Sequence, residues 1–287
     1  MSKICFLSMD NMDGFVSDDE ITIPFFTELG INIEIHSWRA NLDWNLFDMV
    51  ILRTTWDYQN YASEFLNVLD KIHSSRANLQ NHLELIKWNF DKSYLRELEK
   101  KGNTIVPTIW GDQLNRTDIK LFYEQLNCGE LVIKPTVSAN ADNTFRLTYH
   151  KFEEKLESLQ QIFDGRSYLV QPFMQRIISQ GEFSLFFFNG DYSHTILKTP
   201  KDFDFRVQEE HGGIITSAEP DSQMMSDAFN VIKTIPYSSL YARVDFVKDD
   251  SNVNYIMEVE LIEPALYFRM DKNSPRKFVE AVLQKLN

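Results

Sequence analysis

Three carboxylates near the C-terminal end of the chain have a spacing that suits a metal site. Residues 241–247 and 255–264 are rich in β-branched and aromatic residues and are predicted to be two strands of a hairpin. Successive side chains of a strand face opposite ways, so Glu258 and Glu260 share one face, and the hairpin would bring Asp245 towards them. Carboxylates repel each other unless a cation compensates them, and oxygen-only ligands suit Mg²⁺ or Mn²⁺.

The same acidic group has a plainer interpretation as the solvated face of an edge hairpin. The two strands are otherwise apolar, however, and Arg243 lies on the face of Asp245. A dense acidic group on an apolar strand pair favours a bound cation over simple solvation. We therefore expect Asp245, Glu258 and Glu260 to bind Mg²⁺ or Mn²⁺.

The composition indicates a globular protein with more than one structural unit. The chain has 287 residues, of which 43% are hydrophobic and 25% are charged. A net charge of −13 argues against nucleic acid or an anionic membrane as the main partner. Cys5 and Cys128 lie far apart without metal-ligand spacing, which fits a reducing cytosol, and no apolar run is long enough for a signal peptide or a membrane span. We expect a cytoplasmic protein.

The first part of the chain is predicted to form a small parallel α/β unit. Residues 4–7 and 47–52 are apolar runs and residues 31–37 alternate between apolar and polar, and all three patterns are typical of strands. Residues 20–29 are predicted to be helical. Parallel sheets bind ligands at the carboxyl ends of their strands, where Arg53, Thr54 and Asp57 follow the strand predicted at 47–52. The alternative is that Asp57 caps the next helix while Trp56 packs beneath it, and the two interpretations are compatible.

Two lysines stand where they could contact phosphates. Lys92 lies in a segment, residues 81–100, that is predicted to be helical, and Lys134 ends an apolar strand. The loop at residues 136–144 is built from small polar residues, whose backbone N–H groups and hydroxyls could wrap phosphates. A solvated helix lysine and an ordinary surface loop are the alternatives.

The remaining pattern adds a second hairpin and several connecting elements. The hairpin has its turn at Asn189-Gly190, between residues 182–188 and 192–198. Residues 104–109 are expected to form a strand, and residues 203–208 alternate so that Arg206 points with Asp204. No phosphate-binding G-x-x-x-x-G-K loop, dinucleotide G-x-G-x-x-G, G-x-S-x-G or H-E-x-x-H motif occurs.

The order of these residues resembles the ATP-grasp superfamily. The residues that carry the resemblance are Lys92, Lys134, Gln171-Pro172-Phe173, Glu182, Lys198, Arg206, Gly212-Gly213, Asp245, Glu258 and Glu260. A closer set resembles the prokaryotic glutathione-synthetase-like ligases, a group that includes the cyclo-ligase forming D-cycloserine from O-ureido-serine. That set is Arg53-Thr-Thr-Trp-Asp-Tyr58, Trp88-Asn-x-x-Lys92, Phe205-Arg-Val-Gln208 and Glu258-x-Glu-Leu-Ile-Glu-Pro264.

The fold class that the resemblance implies is α/β, built from α+β subdomains: an ATP-grasp fold with an N-terminal parallel α/β pre-ATP-grasp domain. The implied domains are residues 1–78, then 79–172 with the small subdomain and its connecting helix, and 173–287 with the metal-binding hairpin. The implied activity is ADP-forming ligation of a carboxylate, activated as an acyl phosphate, to a nitrogen nucleophile of a small amino-acid-like substrate. A peptide- or protein-modifying ligase and a non-catalytic ATP-binding protein are the alternatives.

The resemblance also implies a role for each site residue. ATP would be held by Lys92, Lys134 and Ser138 at its phosphates, by Gln171, Pro172 and Phe173 at adenine, and by Glu182 at ribose. Mg²⁺ (or Mn²⁺) would be held by Asp245, Glu258 and Glu260, and the catalytic cations would be Arg206, Lys198 and Arg243. Substrate would be contacted by Arg53, Thr54, Asp57 and Gly213. Related enzymes are often dimers or tetramers, so a homo-oligomer is one option.

Two positions depart from the family pattern. The loop at residues 136–146 contains no glycine, whereas the family loop is often glycine-rich. Glu260 stands where glutathione synthetases commonly use asparagine, which changes the charge of the metal site rather than its chemistry.

Overall fold

The computed structural model describes residues 2–138 and 141–286, and its first sheet is fully parallel. The strand order is β2-β1-β3-β4, with β1 paired to both β2 and β3. The elements of this unit are β1 (Lys3–Ser8), α1 (Ile23–Glu28), β2 (Asn32–Ser37), β3 (Met49–Thr54), α2 (Ala62–His73) and β4 (Asn78–Gln80). The parallel α/β unit expected from the sequence is thus confirmed, and its last strand runs two residues past the boundary expected at 78.

A small antiparallel sheet follows, in the order β5-β8-β6-β7. Its elements are α3 (Leu83–Asn89), α4 (Tyr94–Lys100), β5 (Ile109–Gly111), α5 (Arg116–Leu126), β6 (Glu130–Pro135), β7 (Phe145–Thr148), α6 (Tyr149–Ile162) and β8 (Tyr168–Pro172). Helices α5 and α6 cover one face, where Phe122 and Phe152 pack against Tyr168 and Val170.

The third sheet is antiparallel and has the order β11-β10-β9-β12-β13. Its elements are α7 (Arg176–Ser179), β9 (Glu182–Phe188), β10 (Asp191–Thr199), β11 (Ile214–Ser217), α8 (Ser222–Thr234), β12 (Tyr241–Lys248), β13 (Asn254–Glu260) and α9 (Ser274–Leu286). Both hairpins expected from the sequence are present, with β9 and β12 joining them side by side.

The five-stranded sheet is buried on both faces because its strands alternate between two cores. Phe186 and Phe188 of β9 pack with the N-terminal sheet and α9, whereas Leu185 and Phe187 pack with α4 and α8. This period-two exchange is what a strand requires when both faces are covered. No helix within the described residues is long and apolar enough to cross a membrane.

Three segments differ from the sequence-based expectation. The helix expected over residues 81–100 is broken into α3 and α4, so Lys92 lies in the break rather than on a helix. Residues 203–208 form no strand, because the Asp204 carboxylate accepts hydrogen bonds from the N–H groups of Phe205 and Arg206 and curls the chain. The strand expected at 104–109 is displaced along the chain, because β5 begins only at Ile109. Within the expected range, Ile105 makes an isolated bridge to Ile256.

Asn81 ties the N-terminal unit to the five-stranded sheet. Its side-chain amide donates to the carbonyls of Tyr241 (2.9 Å) and Leu261 (2.7 Å) and accepts from the N–H of Leu240 (2.6 Å). The Tyr241 hydroxyl lies within 2.8 Å of the Leu52 carbonyl at the end of β3. Because these groups are buried, each lost partner leaves an unsatisfied polar atom.

We expect Asn81→Ala to lower the free energy of unfolding by about 3 kcal/mol, since several buried backbone groups lose their partner. Urea denaturation followed by circular dichroism measures the change. Asn32→Ala is the matched control, because the Asn32 side chain is exposed and donates an exposed hydrogen bond to the Glu34 carboxylate, and this change should cost less than about 0.5 kcal/mol. Equal losses in the two variants would contradict a docking role for Asn81.

Candidate active site

A cleft opens between the small antiparallel sheet, the five-stranded sheet and the loop after β3. Its open space is about 1560 Å³, including solvent at its mouth. All residues expected to be catalytic, nucleotide-binding or metal-binding line it: Lys92, Lys134, Ser138, Gln171, Pro172, Phe173, Glu182, Lys198, Arg206, Arg243, Asp245, Glu258 and Glu260. The structure thus brings these residues together, while their individual roles stay predictions.

The β12–β13 pairing places one acid opposite another and one base opposite an acid. Asp245 stands opposite Glu258, and Arg243 stands opposite Glu260. Asp245 is the deepest of these groups; it accepts from Ser184 Oγ at 2.6 Å and pairs with Arg243 at 2.9 Å. Burial alone would raise the pKa of Asp245, but the charges of Arg243 and Lys198 outweigh it and lower the pKa to about 2.

Glu258 and Glu260 share the same wall but differ in their counterions. Glu258 pairs with Lys92 at 2.9 Å, and Lys92 together with Lys134 lowers the pKa of Glu258 despite its burial. Burial raises the pKa of Glu260 to about 7, and the nearby charges of Asp245 and Glu258 add to the shift while Arg243 opposes it. Of the three acids, Glu260 is therefore the one whose ionised form the free cleft disfavours.

This donor set fits a hard divalent cation. Within residues 2–138 and 141–286, no three His, Cys, Asp or Glu side chains are arranged as a ready metal site, and Arg243 and Lys92 hold the acids individually. The three carboxylates nevertheless line one wall of the cleft, and carboxylate oxygens are the ligands that a hard divalent cation prefers. Asp245, Glu258 and Glu260 remain the predicted ligands.

The expected nucleotide-binding residues come from both antiparallel sheets. Lys134 ends β6 in a buried position, and that burial lowers its pKa. Lys198 on β10 stands opposite Glu182 on β9, with their charged atoms 2.5 Å apart. Gln171 on β8 is held by Thr108 at 2.9 Å, which orients the strand end that leads into Phe173. The wall therefore presents ordered polar and charged side chains to the cleft, and nucleotide binding by them stays a prediction.

Arg206 reaches the cleft from the loop between β10 and β11. Its guanidinium pairs with Asp204 at 2.8 Å, and this hydrogen bond holds the pKa of Asp204 well below its usual range. The side chain is 37% exposed, so the pair lies at the mouth of the cleft rather than in its interior.

Hydrogen bonds connect the loop at residues 136–144 to the break between α3 and α4. Lys92 Nζ donates to the Ser138 carbonyl at 2.6 Å, and the Lys92 N–H donates to the Thr136 carbonyl at 2.9 Å. Thr136 in turn donates from its hydroxyl to Asp91 at 2.6 Å. Ala139 and Asn140, which belong to the expected phosphate-wrapping loop, lie outside the described residues.

The residues expected to contact substrate do not line the cleft. Arg53 is 1% exposed, and its guanidinium binds Asp19 (2.8 Å) and the Pro264 carbonyl (3.2 Å). Asp57 accepts from Trp38 at 2.8 Å and from Arg39 at 2.6 Å.

Thr54 and Gly213 also lie outside the cleft lining and take part in backbone contacts within the fold. Thr54 is buried at the end of β3, where its carbonyl accepts from the Met9 N–H at 2.9 Å. A Cβ at Gly213 would lie 2.0 Å from the Val207 carbonyl oxygen, so this glycine permits a close backbone contact. From the loop after β3, Trp56 and Tyr58 line the cleft instead of the residues that were expected to contact substrate.

Glu263 is a cleft residue to which sequence reasoning gave no role. It is 9% exposed and lines the cleft, and its carboxyl group forms no hydrogen bond or ion pair with any described residue. Its backbone is fixed, because Trp56 Nε1 donates to the Glu263 carbonyl at 2.8 Å. Burial, followed by the charge of Glu260, raises the pKa of Glu263 well above its usual range. The sequence signal that could have identified Glu263 is its place as the third glutamate in the Glu258-x-Glu-x-x-Glu263 spacing.

A parallel α/β unit followed by two α+β subdomains, with lysines and carboxylates facing one cleft between them, defines the ATP-grasp fold. Residues 4–81 match the family model described as the N-terminal domain of the D-cycloserine synthetase DcsG. The chain is 24% identical to the cycloserine biosynthesis protein DcsG of Streptomyces lavendulae over 277 residues, which is 90% of each chain.

Solved structures give the same result for the fold. The crystal structure of the D-cycloserine synthetase DcsG matches with a TM-score of 0.87 at 22% identity, covering 100% of each chain. A D-alanine–D-alanine ligase from Bacillus anthracis matches with a TM-score of 0.70 at 16% identity, covering 100% of this chain and 97% of that one. The ATP-grasp fold and the resemblance to the DcsG protein group expected from the sequence are confirmed.

We expect Glu263→Gln to stabilise the ligand-free protein, with a larger gain at pH 8 than at pH 5. The folded pKa of Glu263 lies well above its usual value of 4.5. Folding therefore becomes less favourable as the pH rises above 4.5, until the folded pKa is reached. Glutamine removes this proton linkage while keeping the shape of the side chain.

Thermal unfolding of both proteins at pH 5 and pH 8 measures the difference. The other charged groups near Glu263, namely Glu258, Glu260, Lys92 and Arg243, are present in both proteins and largely cancel. Glu157→Gln, on the exposed face of α6, is the control and should give no gain at either pH. A Glu263→Gln gain that does not grow with pH would contradict the buried, uncompensated carboxyl.

Proposed function

We propose that this chain is an ADP-forming ligase that uses ATP to activate a carboxylate as an acyl phosphate. The activated carboxylate is then joined to a nitrogen nucleophile of a small amino-acid-like substrate. The observation that carries the proposal is the meeting of Lys92, Lys134 and Arg243 with the crowded carboxylates of β12 and β13 in one cleft.

Phosphoryl transfer needs positioning and charge neutralisation more than covalent help from the protein. Bound Mg²⁺ would supply a Lewis acid that neutralises phosphate oxygens, held by Asp245, Glu258 and Glu260. Lys134 already faces the cleft from β6, and Lys92 faces it from the helix break. Their positive charges are therefore in place for the phosphates before the reaction begins.

Arg243 is positioned to stabilise negative charge that develops on the phosphoryl oxygens during transfer. It is buried and held between Asp245 and Glu260, so its guanidinium needs little reorganisation to meet a phosphoryl oxygen. Lys198 is fixed in the same way between Glu182 and Asp245. Arg206, at the mouth, would approach the γ-phosphate or the acceptor carboxylate when its loop moves inward.

An acyl phosphate must be protected from water until the nitrogen nucleophile attacks. The cleft supplies much of this shelter, because Trp56, Tyr58 and Ile262 form an apolar, buried wall on the side of the N-terminal unit. This wall would hold the reacting ends of the substrate. We further propose a reducing, cytoplasmic location, which is supported by the two unpaired thiols of Cys5 and Cys128.

The test is ADP and phosphate release from Mg²⁺-ATP with a panel of amino acids and small amines, offered singly and in pairs. The similarity to a cycloserine biosynthesis protein places O-ureido-D-serine, D-alanine and D-serine first in the panel. Stimulated ADP release, with the product identified by mass spectrometry, is the expected result. ATP binding without stimulation by any compound would overturn the proposal in favour of a peptide substrate or a non-catalytic ATP-binding protein.

We expect Glu258→Ala to abolish substrate-stimulated ADP release, with a loss of at least about 100-fold, because the variant removes a metal-binding carboxylate and the partner of Lys92. Coupled-assay kinetics measure the loss, and circular dichroism reports whether the fold is retained. Glu157→Ala on α6 is the control and should keep full activity. A well-folded Glu258→Ala protein with near-normal activity would rule out the metal assignment.

A further inference from the structure

Glu263 stands at the end of the cleft that the N-terminal unit closes. It follows the end of β13 by three residues, where the chain leaves the five-stranded sheet towards the loop after β3. The hydrogen bond from Trp56 Nε1 fixes its backbone against that loop. Its carboxyl group lines the cleft without a hydrogen bond or ion pair to any residue in the described part of the chain.

Tyr58 presents a second polar group without a protein partner. Its ring is fixed by stacking on Phe65, with centroids 4.9 Å apart, and by contact with Phe90 at 5.2 Å. Its hydroxyl makes no hydrogen bond to any described residue, although Tyr58 is buried and lines the cleft. After burial, the charge of Glu263 is the largest influence on the pKa of Tyr58, which is raised. Trp56, two residues before Tyr58, binds the Glu263 carbonyl, and the side chains of Tyr58 and Glu263 line the same cleft.

The surroundings of this pair suit a cation. Trp56, Tyr58, Phe90 and Tyr267 all line the cleft, where Trp56 contacts Glu263 and Phe90 contacts Tyr58 directly. A cationic nitrogen is attracted to aromatic faces when it is withdrawn from water. Glu263 is only 9% exposed, and the cations that act on its charge, Lys92 and Arg243, are paired with other carboxylates. A ligand that brings a positive charge would compensate the cost of this burial at the moment of binding.

We propose that Glu263, assisted by the Tyr58 hydroxyl, binds the ammonium group of the amino-acid-like substrate and selects substrates that carry a free amino group. This assignment deepens the proposed ligase function and rests on it for the class of substrate. The three carboxylates of β12 and β13 are then left to the metal and phosphates. Glu263 contacts the amino-acid-like substrate rather than ATP, as a specificity-determining residue.

The experiment is isothermal titration calorimetry of the full chain with Mg²⁺ and a non-hydrolysable ATP analogue. The probes are three amino acids, D-alanine, D-serine and O-ureido-D-serine, and their matched analogues without the amino group, propionate, 3-hydroxypropionate and 3-(ureidooxy)propionate. Wild type, Glu263→Gln, Tyr58→Phe and the surface control Glu157→Gln are compared. The affinity for the nucleotide analogue, measured on the same samples, reports whether the cleft of each variant is intact.

We expect Glu263→Gln to weaken binding of at least one amino acid by about tenfold or more, because a charged hydrogen bond is lost. Tyr58→Phe should weaken the same probe by a few-fold, as expected for a neutral hydrogen bond. The analogues without the amino group should bind wild type and Glu263→Gln equally. The control should match wild type throughout.

Three results would overturn the assignment. They are a wild-type protein that binds no amino-bearing probe, a Glu263→Gln variant that binds these probes as wild type does, and an equal loss for probes with and without the amino group. Because calorimetry measures binding without turnover, it tests the ammonium site independently of the proposed ligase activity. A protein that binds the amino acids through Glu263 but releases no ADP would contradict the ligase and leave the ammonium site standing.

Discussion

The cleft depends on the pairing of buried charges across β12 and β13. An isolated buried charge is expensive, so each must find a counterion on a neighbouring element. Arg243 satisfies part of this requirement within the hairpin, because its guanidinium pairs with Glu260 across the strands and with Asp245 on its own strand. The rest is met from β10, where Lys198 approaches Asp245 at 3.5 Å. The sheet order therefore determines the electrostatics of the cleft, because β9 sets the distance between β10 and β12.

The same requirement explains why a helix is broken. Glu258 needs a cation from outside the sheet, and Lys92 supplies it from the interruption between α3 and α4. Asn89 holds that interruption in place, since its side chain donates to the Val259 carbonyl at 2.8 Å and accepts from the Leu261 N–H at 2.9 Å. Side chains that bond to another element are unavailable for local helix capping, and tertiary contacts here outweigh helical propensity.

The difference between what the sequence predicted and what it missed follows from the range of the interactions. The carboxylate hairpin was predictable, because alternation in a strand is local and fixes which side chains share a face. The helix break at Lys92 was not, because Asn89 finds its partners on β13, about 170 residues further along the chain. Residues 203–208 have an alternating pattern, yet the Asp204 side chain competes for its own backbone and forms a turn instead.

Arg53 illustrates a further limit, in which the position was right and the orientation was wrong. It follows β3 at the binding edge of the sheet, but its guanidinium is withdrawn to Asp19 and Pro264. The basic side chains that line the described part of the cleft, Lys92, Lys134, Lys198, Arg206 and Arg243, all belong to segments after the N-terminal unit. Under the proposed function, a carboxylate that enters the cleft would meet these positive charges on the side where the phosphates are proposed to bind. Phosphoryl transfer to that carboxylate requires this arrangement.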